Sequence, residues 1–180
     1  MNIETELENQ IAVSSWIDQN LTGAYSFDNE NESWSHSCFD LVVEHHAAVI
    51  SLCKTQLYGA AFALLRVEFE ALVRGLWLKH VASSKEINRF KKDKVDPKFH
   101  ELIKAIENTV GISYGLLSTI KEKQWSIFNS FTHTGVEALS RRVGKETTGY
   151  DNYQETDVVK ALKFSGLVAI LAAVELASLS

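Results

Sequence analysis

The segment from Leu57 to Ala82 constrains the fold more than any other part of the chain. At helical spacing, Leu57, Ala60, Ala61, Leu64, Leu65, Ala71, Leu72 and Leu76 form one apolar row, and Phe62, Phe69, Val73 and Trp77 form a second. A helix that is apolar nearly all round has no face to give to water. The segment therefore predicts a buried third helix, and the rest of the chain must supply its neighbours. Gly59, Ala60, Ala61 and Ala63 predict that a neighbouring backbone comes close near its start.

Those neighbours also read as helices. One proline, Pro97, and nine glycines in 180 residues are too few for the frequent turns of an all-β chain. The expected class is all-α, a single-domain bundle of six or seven helices spanning 1–180, with residues 1–32 a peripheral N-terminal helix and loop and 33–180 the core bundle. The first helix, about 3 to 20, has only a thin stripe of Ile3, Leu7, Ile11 and Ile17 and should lie on the outside. Ser33 caps a helix running to about Thr55, whose apolar face takes in Phe39, Val42, Val43, His46, Ala47, Val49 and Ile50.

Ser83 and Glu86 form a capping box that starts a short basic helix to about Lys92. Asp96-Pro97 starts the next, which ends near Val110-Gly111, and another runs from about Leu116 to Phe131 before Thr132-His133-Thr134-Gly135, where the glycine suits a helix end or a kink. The last helix, about 156 to 179, follows a polar loop at 144–155. Its uncharged stretch, Phe164 to Val174, is well short of the roughly 20 residues a membrane span requires, so no membrane partner is expected.

A net charge of −5 should repel polyanions, so DNA binding is not expected, and any RNA contact must come from the basic stretch Arg89, Lys91, Lys92, Lys94. Cys38 and Cys53 are fifteen positions apart on one expected helix, about 22 Å, too far to bridge. Two unpaired thiols and an acidic start without a secretory leader read as cytoplasmic.

Three constellations are candidates for chemistry. Arg66, Glu70 and Arg74 share one helical face at i, i+4 and i+8, a salt-bridge ladder set among apolar neighbours and suited to a ligand or partner. His133 is placed at a helix end among hydroxyls, where it can exchange a proton, and Arg141 and Arg142 can bring positive charge to the same region. Arg74 and His80 combine a phosphate-stabilising cation with an acid/base, although six positions turn them about 120° apart on a regular helix. The histidines show no HxxxH or HExxH pair, and neither a Gly-rich phosphate loop nor GxSxG occurs, so no metal or cofactor is expected.

The run 64–80 (LLRVEFEALVRGLWLKH), then Arg89-Phe90, Pro97-Lys98-Phe99, Glu101-Leu102-Ile103 and Phe131-Thr132-His133-Thr134-Gly135 resembles an uncharacterised family of bacterial helical proteins, a domain of unknown function, over roughly residues 35–180. More distantly the chain is similar to HEPN-like and abortive-infection helical domains. That resemblance implies a metal-independent RNase or toxin-type activity in defence, with Arg74 positioning phosphate and His80 or His133 as acid/base. The residues taken alone leave two other readings open. One is a non-catalytic homodimeric module whose register is set by Arg66, Glu70 and Arg74; the other is a small anionic-ligand binder using Arg66, Arg74 and His133.

Overall fold

The computed structural model describes residues 2–21, 29–94, 97–110, 115–143 and 152–178. It is all-helical, with eight helices among the described residues: α1 (Ile3–Leu21), α2 (Glu30–Lys54), α3 (Tyr58–His80), α4 (Ser84–Phe90), α5 (Phe99–Val110), α6 (Leu116–Thr132), α7 (Val136–Ser140) and α8 (Glu155–Ala177). The expected count of six or seven falls short by α7, whose five residues are too few to show a periodicity. The expected Asp96 cap, the helix end at Gly111 and most of the 144–155 loop lie outside the described residues.

α3 is the centre, as its two apolar rows require. It packs against α2, α5, α6 and α8, while α1 lies across α2 and α8. Phe69, Leu72, Val73 and Leu78 are completely buried. An aromatic cluster joins α3 to its neighbours: Phe69 meets Phe99 of α5, Phe128 of α6 and Phe164 of α8, with ring centroids 5.9, 6.5 and 6.2 Å apart. Gly75 is where a glycine of α3 admits its closest neighbour, and that neighbour is a side chain rather than a backbone. A Cβ there would stand 2.5 Å from the Phe39 ring, so the missing side chain is what lets that ring lie on the α3 backbone. At Gly59 the neighbours are side chains, the Arg142 guanidinium and the Tyr153 hydroxyl, each 3.0 Å from the Cβ position.

The helix ends are where local reading was both best and worst. The capping box at Ser83 and Glu86 is present as expected. α2, however, is capped by Asn29, whose side chain accepts from the Glu32 amide, so the helix starts before Ser33. At the other end α2 closes with Gln56 in the left-handed region, φ 61°, and the Leu57 amide donating to the Leu52 carbonyl. α6 ends the same way: Thr134 has φ 57° and the Gly135 amide donates to the Ser130 carbonyl at 2.7 Å. This six-to-one bond defines a Schellman end with a non-glycine residue at its left-handed position. Gly135 is needed for a different reason, because a Cβ there would fall 2.6 Å from Ser130 Oγ and 3.0 Å from Ser130 Cα.

α1 runs parallel to α8: the Ile3 amide donates to Glu155, and Ile17 packs with Ala169 and Ala173. Its buried residues are Glu6, Gln10 and Ile17, whereas Ile11 is exposed. The apolar stripe read from hydropathy is thus rotated from the true contact face, because two polar residues occupy that face.

Candidate functional site: an arginine–histidine cleft between α3 and α6

Arg66, Glu70 and Arg74 form the expected ladder on α3. Glu70 is shared: its Oε1 accepts from Arg66 Nε at 2.8 Å and its Oε2 lies 3.5 Å from Arg74 Nη1. Two cations on one carboxylate leave the row with a net positive charge, and both Arg66 and Glu70 are largely buried at the side chain.

Arg66 then turns toward α6. Its Nη1 donates to His133 Nε2 at 2.7 Å, and its guanidinium carbon lies 4.9 Å from the Trp125 ring centroid, a cation–π distance. Trp125 is stacked on Phe99 at 4.7 Å and 20°, and Phe99 meets Phe69 in the core. The guanidinium thus ends an aromatic ladder rooted in the interior, which fixes its position. An arginine has no lone pair to offer, so His133 accepts through an unprotonated Nε2 and carries its proton on Nδ1.

On α6, Trp125, Asn129 and His133 stand at i, i+4 and i+8 and share one face, with Ser126 and Ser130 beside them. Together with Arg66 and the start of α7 at Gly135 to Glu137, they line an open cleft of about 550 Å³. The Schellman end makes this geometry possible. It stops α6 at Thr132, leaves His133 as the cap residue at the rim, and folds α7 back so that the Ala138 amide donates to Ser130 Oγ.

The other candidates separate from this cleft. His80 Nε2 lies 2.9 Å from Glu175 Oε2 on α8, and Lys79 Nζ is 2.8 Å from the same oxygen, so these two residues clamp α3 to α8. Arg74 is paired with Glu70 and acts electrostatically on Cys38 of α2. Arg74 and His80 thus have different partners, in keeping with their angular separation along the helix. Arg141 pairs with Asp157 at the start of α8, and Arg142 reaches over Gly59. In the basic stretch, Lys91 pairs with Glu30 at 2.8 Å, and Arg89 and Lys94 border a depression of about 280 Å³ beside Trp77.

A buried polar chain was missed. Ser165 Oγ donates to Glu68 Oε1 at 2.9 Å and lies 2.8 Å from His46 Nδ1, and all three residues are fully buried. Gln10 Oε1 falls 2.0 Å from the Cβ position of the adjacent Gly166, and Gln10 Nε2 donates to Glu6 at 2.6 Å. α1, α2, α3 and α8 thus each contribute polar groups to one layer. Burial pushes the Glu68 carboxyl well above the usual range despite the Ser165 bond, and lowers His46 to about 4. His46 is therefore neutral at neutral pH. The signal was available: Glu68 lies at helical spacing from Leu65 and Leu72, so periodicity places it in the core.

Burial also raises the thiols of Cys38 and Cys53, to about 11 and 12, which removes them as nucleophiles. Among the described residues, no three histidine, cysteine or acidic side chains come together to hold a metal ion, and no helix is long and apolar enough to cross a membrane.

Fold and site define an all-helical chain with an arginine–histidine cleft against its central helix. Residues 39–180 match the profile of a family of unknown function, DUF6988, and the chain belongs to that family. Comparison with curated proteins and with solved structures finds no match.

Proposed function

We propose that this chain binds a small anionic ligand in the α3–α6 cleft, with Arg66 as the anchoring cation and His133 as the proton-carrying partner. The observation that carries this reading is the 2.7 Å bond between Arg66 and His133 at the wall of an open cleft. A carboxylate or phosphate entering there offers Arg66 an anionic acceptor in place of a neutral imidazole, a stronger charge-assisted bond. It also lets His133 take a proton and donate. Ser126, Asn129 and Ser130 add hydrogen-bonding groups, and Glu137 at the rim favours an anion that carries a donor of its own.

Calorimetry with inorganic phosphate, acetate and a nucleoside monophosphate tests this reading. Binding of at least one, accompanied by proton uptake and lost in Arg66→Ala, supports it. No heat with any of the three, or binding unaffected by Arg66→Ala, rejects it.

A second reading is favoured by one feature, an unprotonated imidazole nitrogen beside a guanidinium. That pairing suits metal-independent RNA cleavage, in which His133 removes the 2′-hydroxyl proton, the 2′-oxygen bonds to phosphorus as the P–O5′ bond breaks, the departing 5′-oxygen takes a proton from water, and Arg66 stabilises the charge developing on the phosphate. It accords with the HEPN-like resemblance but assigns the pair to Arg66 and His133 instead of Arg74 and His80. Total RNA incubated in EDTA should be cleaved by the wild type and spared by His133→Ala; intact RNA at enzyme excess rejects this reading. Two free thiols, Cys53 buried and Cys38 partly so, agree with a cytoplasmic setting.

A further inference from the structure

α8 carries two apolar faces. One is the core face, including Val158, Leu162, Ala169 and Leu176. On the opposite side Lys160, Lys163, Leu167, Ile170, Val174 and Ala177 are all exposed, separated by 3, 4, 3, 4 and 3 positions. That alternation is the seam of helix-on-helix packing, in which each side chain fits between four residues of a facing helix. Leu167 is 44% exposed, Ile170 46% and Val174 63%, and on neighbouring α1 Trp16 is 56% exposed.

Between the two helices runs a groove of about 500 Å³ bordered by Ala12, Trp16, Ile170, Val174 and Ala177. The groove and Trp16 belong to one patch, which therefore holds both a projecting knob and an alanine-sided hole. An isologous interface requires this, because the same surface must supply both partners.

We propose that a second copy of this chain docks on the α1–α8 face, with α8 antiparallel to the partner's α8 about a two-fold axis near Ile170. Charge selects that direction. A parallel pair would set Lys160 and Lys163 against their own copies. In the antiparallel pair the two Lys163 side chains stand about 20 Å apart at opposite ends, with the apolar residues between them. Exposed Leu167, Ile170, Val174 and Trp16, with the groove between α1 and α8, supply the apolar centre of such a contact. The Arg66–Glu70–Arg74 row does not serve this contact, since Arg66 is engaged with His133 and Trp125 in its own chain.

Sedimentation equilibrium from about 1 to 100 μM, the range in which weakly associating interfaces form, should give twice 20.2 kDa. Ile170→Glu combined with Val174→Lys replaces exposed side chains only. It should raise the dimer Kd at least ~100-fold with an unchanged helical spectrum. Ile170→Cys should form a disulfide-linked dimer on air oxidation, a readout that does not depend on the charged variant folding. A wild type that stays monomeric throughout the range overturns the proposal. So does a dimer that persists in the folded double variant, or an Ile170→Cys chain that stays uncrosslinked while dimeric.

Discussion

Arg66 Nη1 and His133 Nε2 lie 2.7 Å apart although 67 positions separate the two residues in the chain. The bond joins α3 to the end of α6, both within the residues that match the family. Its chemistry is asymmetric, because the guanidinium can only donate and the imidazole must accept.

A double-mutant cycle on Arg66→Ala and His133→Ala, followed by urea unfolding, should give a coupling of about 0.5–1.5 kcal/mol at pH 8. A coupling near zero would show that the two side chains do not share this hydrogen bond.

Gly135→Ala should destabilise the protein by about 1–3 kcal/mol, because the new Cβ meets a backbone atom, Ser130 Cα, as well as Ser130 Oγ. It should also weaken any ligand binding, because the turn that sets His133 at the rim has to move. Thr134→Gly, by contrast, should be neutral or stabilising by up to ~1 kcal/mol, since it relieves a β-branched residue at φ 57°. Thermal melts of the two variants side by side separate the roles of the adjacent positions.

Gly75→Ala should cost more, about 2–4 kcal/mol, since the Phe39 ring it meets at 2.5 Å is fully buried and has no room to retreat. Chemical denaturation measures the loss. A cost under about 0.5 kcal/mol, the usual range for a surface change, would mean that Phe39 does not pack there.

The buried chain makes stability depend on pH from both sides. His46 is lowered from 6.5 to about 4, so between those values the unfolded chain takes up a proton that the folded one refuses. Stability present above pH 6.5 is lost as pH falls toward 4, by on the order of 3 kcal/mol. Glu68 is raised, so its contribution is complete below about 4.5 and is lost as pH rises. Glu68→Gln should therefore stabilise the protein at neutral pH, and His46→Gln should flatten the acid side. Unfolding free energies at pH 4.5, 6 and 7.5 check both signs.

Much of this was legible from local pattern. The doubled apolar rows at 57–82 required α3 to be surrounded, and the Ser83–Glu86 box started α4 where its side chains satisfy backbone amides. The Arg66–Glu70–Arg74 ladder follows from helical spacing alone. Trp125, Asn129 and His133 share a face by the same rule, but nothing local distinguishes a face that lines a cleft from one that meets water. α1 was misaligned because Glu6 and Gln10 count as polar in any hydropathy reading, yet they are buried where α8 offers Gly166. The glycine at 135 marked the helix end, which falls there, but nothing local showed that Thr134 would take the left-handed position.

The amino-acid sequence by itself determined the helical class, the central place of α3 and the charged row along it, because periodicity and capping act within a few residues. Only the tertiary structure decided which far-separated groups meet: Arg66 with His133, Glu68 with Ser165 and His46, His80 with Glu175. Such pairings depend on how helices are set against one another, and that is the outcome of packing the whole core rather than of any one segment.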